Sequence, residues 1–442
     1  VGNLIEHLFV LAIHGCGRYH HAMHRVPAGD NAELVELGNV TAAELHAAAA
    51  RMRAEEGVLA CIPGHSSLYV IRGERCASTA IAPREPRELC VPVVFDGPDL
   101  PELLQRVSLD RFLEHVGTLR LTARYLGFRG GFAYLEGWPD EWSMPRRPTS
   151  RPHVARGTFA IAGNVAGFYP IDSPGGWNLL GRTDVDLENA LAPGDEIVIQ
   201  PAVTAAAVAS KAPAAATALQ NVELIASPLT TIVTEADWSR VERGLPPGGP
   251  FDDVAAAVAM SAVEGNVELL ECAMTGPRVR FRRDAVLAWC TPDLHVRVEQ
   301  VRAGAERAFG RIDGGLRAYL AIGARERVGI TAHRRESRHI IRAIPGPHDV
   351  GLREIECEVT PQLNRVGIRL RPLRELRIDI PANLLSIGMQ CGTVQLHPDG
   401  SLVAMGPDHP VTGGYLQPMT VITSERWKLA QLVPGERVVF KS

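Results

Sequence analysis

Leu191-Ala-Pro-Gly-Asp-Glu-Ile-Val-Ile-Gln200 returns 241 positions later as Leu432-Val-Pro-Gly-Glu-Arg-Val-Val-Phe-Lys441. Each copy reads as a Pro-Gly turn, an acidic residue and a short apolar strand. Gly175-Gly176-Trp177 precedes the first copy, and Gly413-Gly414-Tyr415 precedes the second at a similar spacing. One Pro-Gly turn would mean little. Two, in the same order and each closing one half of the sequence, predict related β-barrels in tandem. The fold class expected is mainly β, with an α+β N-terminal part and tandem barrel domains.

Outward from these repeats, residues 1–27 read as an N-terminal extension, with His14, His20, His21 and His24 gathered around Cys16. A small α+β domain is expected over 28–86. Its strands are Glu33 to Leu37, Val58 to Ile62 and Ser67 to Ile71. Its helix starts at Thr41, where Glu44 three residues on makes a capping box. Leu100 to His115 carries apolar residues at helical spacing and predicts one further helix. Short strands such as Phe159-Ala-Ile-Ala162 and Glu196-Ile-Val-Ile-Gln200, separated by Gly and Pro, place a barrel at 87–201. Residues 202–222 are an Ala-rich linker, 223–340 a further β-barrel subdomain, and 341–442 the last barrel.

Composition removes several function classes. The 442 residues carry 46 Lys+Arg against 50 Asp+Glu, a formal charge of −4, so no basic face for nucleic acid is expected. No apolar run reaches the length of a membrane span, and a cytoplasmic location is expected. Only Lys211, Lys428 and Lys441 are lysines; 43 basic residues are Arg. No G-x-x-x-x-G-K-[ST] loop and no lysine for biotin is present, so anions must be met by Arg forks. Eight cysteines without any C-x-x-C predict buried thiols, and no metal site is expected.

The segment richest in chemistry runs from Tyr125 to Thr183. It reads Gly127-Phe-Arg-Gly-Gly-Phe-Ala-Tyr-Leu135, then Met144-Pro-Arg-Arg147, then Tyr169-Pro-Ile-Asp-Ser-Pro-Gly-Gly-Trp-Asn-Leu-Leu-Gly-Arg182. Arg146 and Arg147 offer anion-binding forks, Gly175 and Gly176 let the backbone approach a ligand, and Tyr134 and Trp177 would wall the pocket. The alternative is a barrel loop whose arginines are simply solvated.

These stretches resemble the B component of 5-oxoprolinase, the allophanate-hydrolase-subunit-1-like family, with its G-F-x-P-G-F-P-Y-L, P-R-R and Y-P-x-x-S-P-G-G-W-x-L-I-G-R-T motifs. The second half resembles the partner C component, related to allophanate hydrolase subunit 2. Leu245-Pro-Pro-Gly-Gly-Pro-Phe-Asp252 stands for V-P-P-S-G-A-M-D, and Asn364-Arg365 opens the D-R-M-G-L-R-L motif. Gly392-Thr-Val-Gln395 stands for G-A-I-Q, and Asp408 through Tyr415 for D-x-Q-x-T-G-G-Y. The chain is similar to a B–C fusion of this carboxyltransferase-domain family, and the first half keeps more of the motifs. The family's T-V-Q-D-x-G-R is replaced by Thr231-Ile-Val-Thr-Glu-Ala-Asp237, and a Gln by Pro410.

The resemblance implies cyclophilin-like barrels. It also implies a component of an ATP-dependent 5-oxoprolinase, with Mg as the accompanying ion and a separate A-type, lactam-utilisation protein as partner. His115, Arg146 and Arg365 are then the expected catalytic residues. Tyr134, Arg147, Gly175, Gly176, Trp177, Gln395, Asp408 and Tyr415 are the expected substrate contacts. Two other readings stay open. One is a carboxyltransferase module of a urea carboxylase or allophanate hydrolase-type biotin-dependent system; the other is a non-catalytic, kinase-inhibitor-like binding protein. Self-association is also open.

Overall fold

In a computed structural model, the residues described are 24–73, 85–127, 130–187, 190–204, 219–328, 332–334, 336–381 and 384–442. Most of the expected N-terminal extension and of the Ala-rich linker lies outside them.

The two echoed segments occupy the same place in two barrels of the same topology. In the first half, seven strands lie in one sheet: Glu88–Val93, Arg120–Leu126, Ala133–Glu136, Thr158–Ala162, Val165–Phe168, Asn178–Arg182 and Glu196–Pro201. Numbered along the chain, their lateral order is 6-4-5-3-2-7-1. The sheet closes through Val94 and Arg182, which exchange two backbone hydrogen bonds of 2.9 Å. In the second half Ile340–Pro345, Glu354–Leu363, Gly367–Pro372, Thr393–Leu396, Leu402–Met405, Leu416–Val421 and Arg437–Lys441 form a closed barrel in that same order. Each final strand runs parallel to the first strand of its barrel and antiparallel to the second.

The turns show why Pro-Gly recurs. Gly194 and Gly435 have φ of 94° and 87°, the left-handed value that the third position of such a turn demands of glycine. The acid that follows caps its own turn. Asp195 Oδ2 accepts from Ala192 N at 3.0 Å, and Glu436 Oε2 accepts from Val433 N at 3.0 Å. Gly194 N donates to Ala123 O, and Gly435 N to Val359 O, which locks each turn onto its barrel's second strand at 2.8 Å.

The N-terminal unit is a four-stranded antiparallel sheet backed by the helix Ala42–Arg53. Thr41 accepts from Glu44 N at 3.3 Å while the Glu44 carboxylate accepts from Thr41 N at 2.8 Å, so the capping box is formed. The expected helix over 100–115 is instead two pieces: Leu100–Leu103, which ends at the C-cap Leu104, and Leu109–Val116, which Ser108 caps. The described residues of 222–340 form five-stranded, three-stranded and two-stranded sheets rather than one closed barrel, up to the strand that opens the second barrel, with the helix Asp253–Ser261 packed on the largest sheet. Cys61, Cys272, Cys290 and Cys357 are buried as expected, but Cys90 is exposed. No helix among the described residues is long and apolar enough to cross a membrane.

The halves are interlocked. The small sheet of the first half docks on the second barrel, where His65 N donates to Ser386 O at 2.8 Å and the Asp30 carboxylate accepts from Thr423 N. Arg124, buried in the first barrel, donates to His65 O and Val40 O, each at 2.6 Å, and so holds the small sheet from the other side. A cleft is left between the barrels.

Candidate functional site

The cleft encloses about 2120 Å³ and draws its lining from both halves. From the first barrel come Tyr134, Arg146, Arg147 and Trp177; from the second come Arg365, Gln395, Asp408 and Tyr415. A smaller pocket of about 180 Å³ opens beside it and shares Tyr134, Arg146, Ser150 and Trp177. Its other walls are Phe132, Tyr169, Pro174, Gly175 and Gly176.

Aromatic packing shapes this pocket. The Phe132 ring meets Trp177 edge-on at 5.2 Å and Tyr169 at 5.4 Å, and Tyr134 stacks on Tyr125 at 4.4 Å. Two of its walls are glycines packed tightly against neighbouring side chains. A Cβ on Gly175 would stand 2.0 Å from the Tyr169 hydroxyl, and one on Gly176 would stand 3.0 Å from Arg146 Nε. Burial raises the Tyr134 and Tyr169 hydroxyls above their ordinary value, so both stay protonated.

The expected arginines are in three different states. Arg146 has no acceptor among the described residues and faces both pocket and cleft. Arg147 donates to Asp99 Oδ1 at 3.0 Å, while Arg151 grips the same carboxylate with two bonds of 2.7 and 2.8 Å. Arg365 forks onto Asp408 at 2.8 and 3.0 Å and donates to Gly249 O at 2.7 Å. Its Nη1 lies 2.8 Å from Glu271 Oε2, an ion-pair distance outside hydrogen-bond geometry. Burial opposes the Arg365 charge, but Asp408 and Glu271 outweigh it and the pKa is raised. Arg365 is thus a tie between loops, with no free fork to offer. Gln395 is buried and donates to Met389 Sδ at 3.7 Å, and Tyr415 stacks on His397 at 4.2 Å. His115 is not brought to the cleft; it is exposed at the end of Leu109–Val116, with its ring 4.9 Å from Trp142.

Three histidines that sequence reasoning missed line the cleft: His65, His397 and His409. Burial lowers the pKa of each. His409 is pushed down to about 4, and its Nδ1 donates to the Pro410 carbonyl at 2.8 Å, leaving Nε2 as the bare nitrogen. His397 Nε2 is buried with no hydrogen-bond partner among the described residues. No spacing rule joins positions 65, 397 and 409. Only the docking of the small sheet on the second barrel does.

The fold and this cleft define a tandem-barrel protein with an arginine-lined groove between related halves. The family model for the carboxyltransferase domain, subdomain C and D, matches residues 23–193; that for the carboxyltransferase domain, subdomain A and B, matches 243–328 and 324–442. The chain belongs to this carboxyltransferase-domain family, as a fusion of the 5-oxoprolinase B- and C-type halves. It is 34% identical over 136 residues to the B component of the 5-oxoprolinase of Escherichia coli O157:H7, covering 28% of this chain and 62% of that protein. It is 25% identical over 304 residues to a putative urea carboxylase of Emericella nidulans, covering 51% of this chain and 24% of that protein. The chain therefore spans less than two thirds of the length of either relative. The crystal structure of TTHA0988 has the same fold, with a TM-score of 0.78 and 24% identity over 93% of this chain and 99% of that one.

Proposed function

We propose that this chain is the fused B/C component of an ATP-dependent 5-oxoprolinase, opening the lactam of 5-oxoproline to L-glutamate with a separate A-type component in the cytoplasm. The observation that carries the reading is the guanidinium of Arg146, without an acceptor among the described residues, at the junction of cleft and aromatic pocket. A small flat ring bearing one carboxylate suits such a pocket: the fork takes the carboxylate, and Tyr134 and Trp177 cover the ring. Of the five arginines in the cleft lining, Arg146 and Arg240 have no acceptor among the described residues, which supports an anionic substrate and the charge that develops on its carbonyl oxygen.

An unactivated lactam resists water at neutral pH, and ATP would supply the phosphoryl group that makes its oxygen a leaving group. The chain's own part is to orient the carboxylate through Arg146, to exclude water with the aromatic walls, and to hold neutral imidazoles beside the ring nitrogen. Among the described residues no group of three or more His, Cys, Asp or Glu stands together, and in this reading Mg would arrive with the nucleotide. Carboxyl transfer is the second reading, favoured by the urea carboxylase similarity across half the chain; it would use carboxybiotin carried by another protein.

Glutamate release from 5-oxoproline and ATP decides between them. The chain alone should release none; with the A-type component added it should turn over, and Arg146→Ala should reduce binding of 5-oxoproline by about 1.5–3 kcal/mol, the range for a charged hydrogen bond. Steady turnover by the chain alone would overturn the partner requirement. Silence with the A-type component present would overturn the reading.

A further inference from the structure

Five arginines line the cleft, and three are neutralised: Arg147 by Asp99, Arg365 by Asp408 and Glu271, and Arg369 by Asp399. Arg146 and Arg240 have no acceptor among the described residues, and they stand on opposite halves of the chain. Arg146 belongs to the aromatic pocket. Arg240 has surroundings of its own.

Arg240 sits in the 3₁₀ turn Trp238–Arg243, which is anchored at both ends. Asp237 accepts from Ser239 N at 3.0 Å, and Gly244 ends the turn at φ 71°. Gly244 lies so close to the first barrel that a Cβ there would stand 2.7 Å from Leu126 Cβ. The side chain of Arg240 reaches Gly248, with Nη1 3.6 Å from where a Cβ would be. Gly248 and Gly249 have φ of 70° and 91° and both line the cleft. Pro246, Pro247 and Pro250 around them have no N–H to give. Neither glycine N–H donates to an acceptor among the described residues. Both N–H groups therefore belong to a loop that lines the cleft, on the same side of it as the Arg240 guanidinium, which has no acceptor among the described residues.

We infer that Arg240 and the amides of Gly248 and Gly249 form a second anion site, separate from the Arg146 pocket, that takes a phosphate group. A guanidinium fork and two amides are more donors than one carboxylate needs, and they suit the several oxygens of a phosphate. The site would do with arginine and glycine what a lysine-bearing phosphate loop does elsewhere, in a chain with no such loop. The inference rests on the reading of the cleft as the place where an anionic amide meets a phosphorylated co-substrate, and it names the residues for the second.

Inorganic tripolyphosphate and L-5-oxoproline, titrated separately into the full chain by calorimetry, test it. Arg240→Ala and Arg240→Gln should each weaken tripolyphosphate by about 10- to 100-fold, as loss of a charged hydrogen bond does, with 5-oxoproline affinity unchanged. Arg146→Ala should show the opposite pattern. Arg311→Ala, an exposed arginine outside the cleft, controls for charge alone, and thermal melts confirm that each variant folds. The inference is overturned if the parent does not bind tripolyphosphate, if both Arg240 variants bind it like the parent, or if Arg311→Ala weakens it equally. If tripolyphosphate binds through Arg240 while 5-oxoproline does not bind at all, the inference stands and the oxoprolinase reading falls.

Discussion

Arg146 and Arg147 are neighbours with identical side chains, yet one is available to a ligand and the other is held by Asp99. What separates them is Asp99, whose Oδ1 lies 3.0 Å from Arg147 Nη1, while the Arg147 backbone N–H is tied to Gly176 O at 2.9 Å. Single residues govern pH behaviour too. His409 has an ordinary value of 6.5, and burial first, then Arg426, hold it at about 4 despite its bond to the Pro410 carbonyl and the nearby Asp408. As pH falls below 6.5 the unfolded chain takes up this proton and the folded chain does not, until about pH 4. Stability should therefore be intact above pH 6.5 and be lost through that window, by on the order of 3 kcal/mol from this group. Denaturant unfolding of His409→Asn should show a flatter pH dependence than the parent between pH 6.5 and 4. Equal slopes would mean that other groups set the acid limit.

Among the elements, the Pro-Gly turns are held by φ, cap and ladder together. Alanine at Gly435 would have to occupy φ 87°, with open space around the added methyl, so its cost is backbone strain alone. Gly435→Ala should lower stability by about 1–2 kcal/mol, the usual penalty for a left-handed non-glycine residue, and thermal denaturation reads it. A neutral result would show that the turn relaxes to another type. These turns are legible in the sequence because their chemistry is local: four residues carry the whole requirement. The capping box at Thr41 is legible for the same reason. The helix Asp253–Ser261 escapes the sequence reading, although Asp252 accepts from Ala255 N at 2.9 Å as an N-cap before an alanine-rich run. The break between Leu103 and Leu109 escapes it because apolar spacing continues across it, and only the Ser108 hydroxyl bond to Arg111 N marks the restart.

Across the molecule, the first half reaches into the second. The small sheet buries Ala28, Leu34, Ile62 and Tyr69 in one apolar cluster with Ile387 and Val411 of the second barrel region. Gly127 lies so near Thr412 that a Cβ would overlap its hydroxyl at 1.6 Å. Fragments 24–204 and 219–442, produced together without the intervening segment, should co-purify as a complex, because this docking needs no covalent link. Size-exclusion chromatography checks it, and two separately eluting fragments would show that the linker, rather than the interface, holds the halves in place.

That docking also marks the boundary of what residue order can tell. Two barrels of one topology, the turns that end them and the segment that carries Arg146 are all written in the sequence, because each depends on residues close together in the chain. Which arginines are free is settled only by folding. Arg147 meets Asp99 from 48 positions away and Arg365 meets Asp408 from 43, and no periodicity reports such partners. Folding also turns His115 away from the cleft while bringing His65, His397 and His409 to line it. A side chain's charge is written in its type. Its availability depends on what the folded chain brings within about 3 Å of it, the reach of a hydrogen bond.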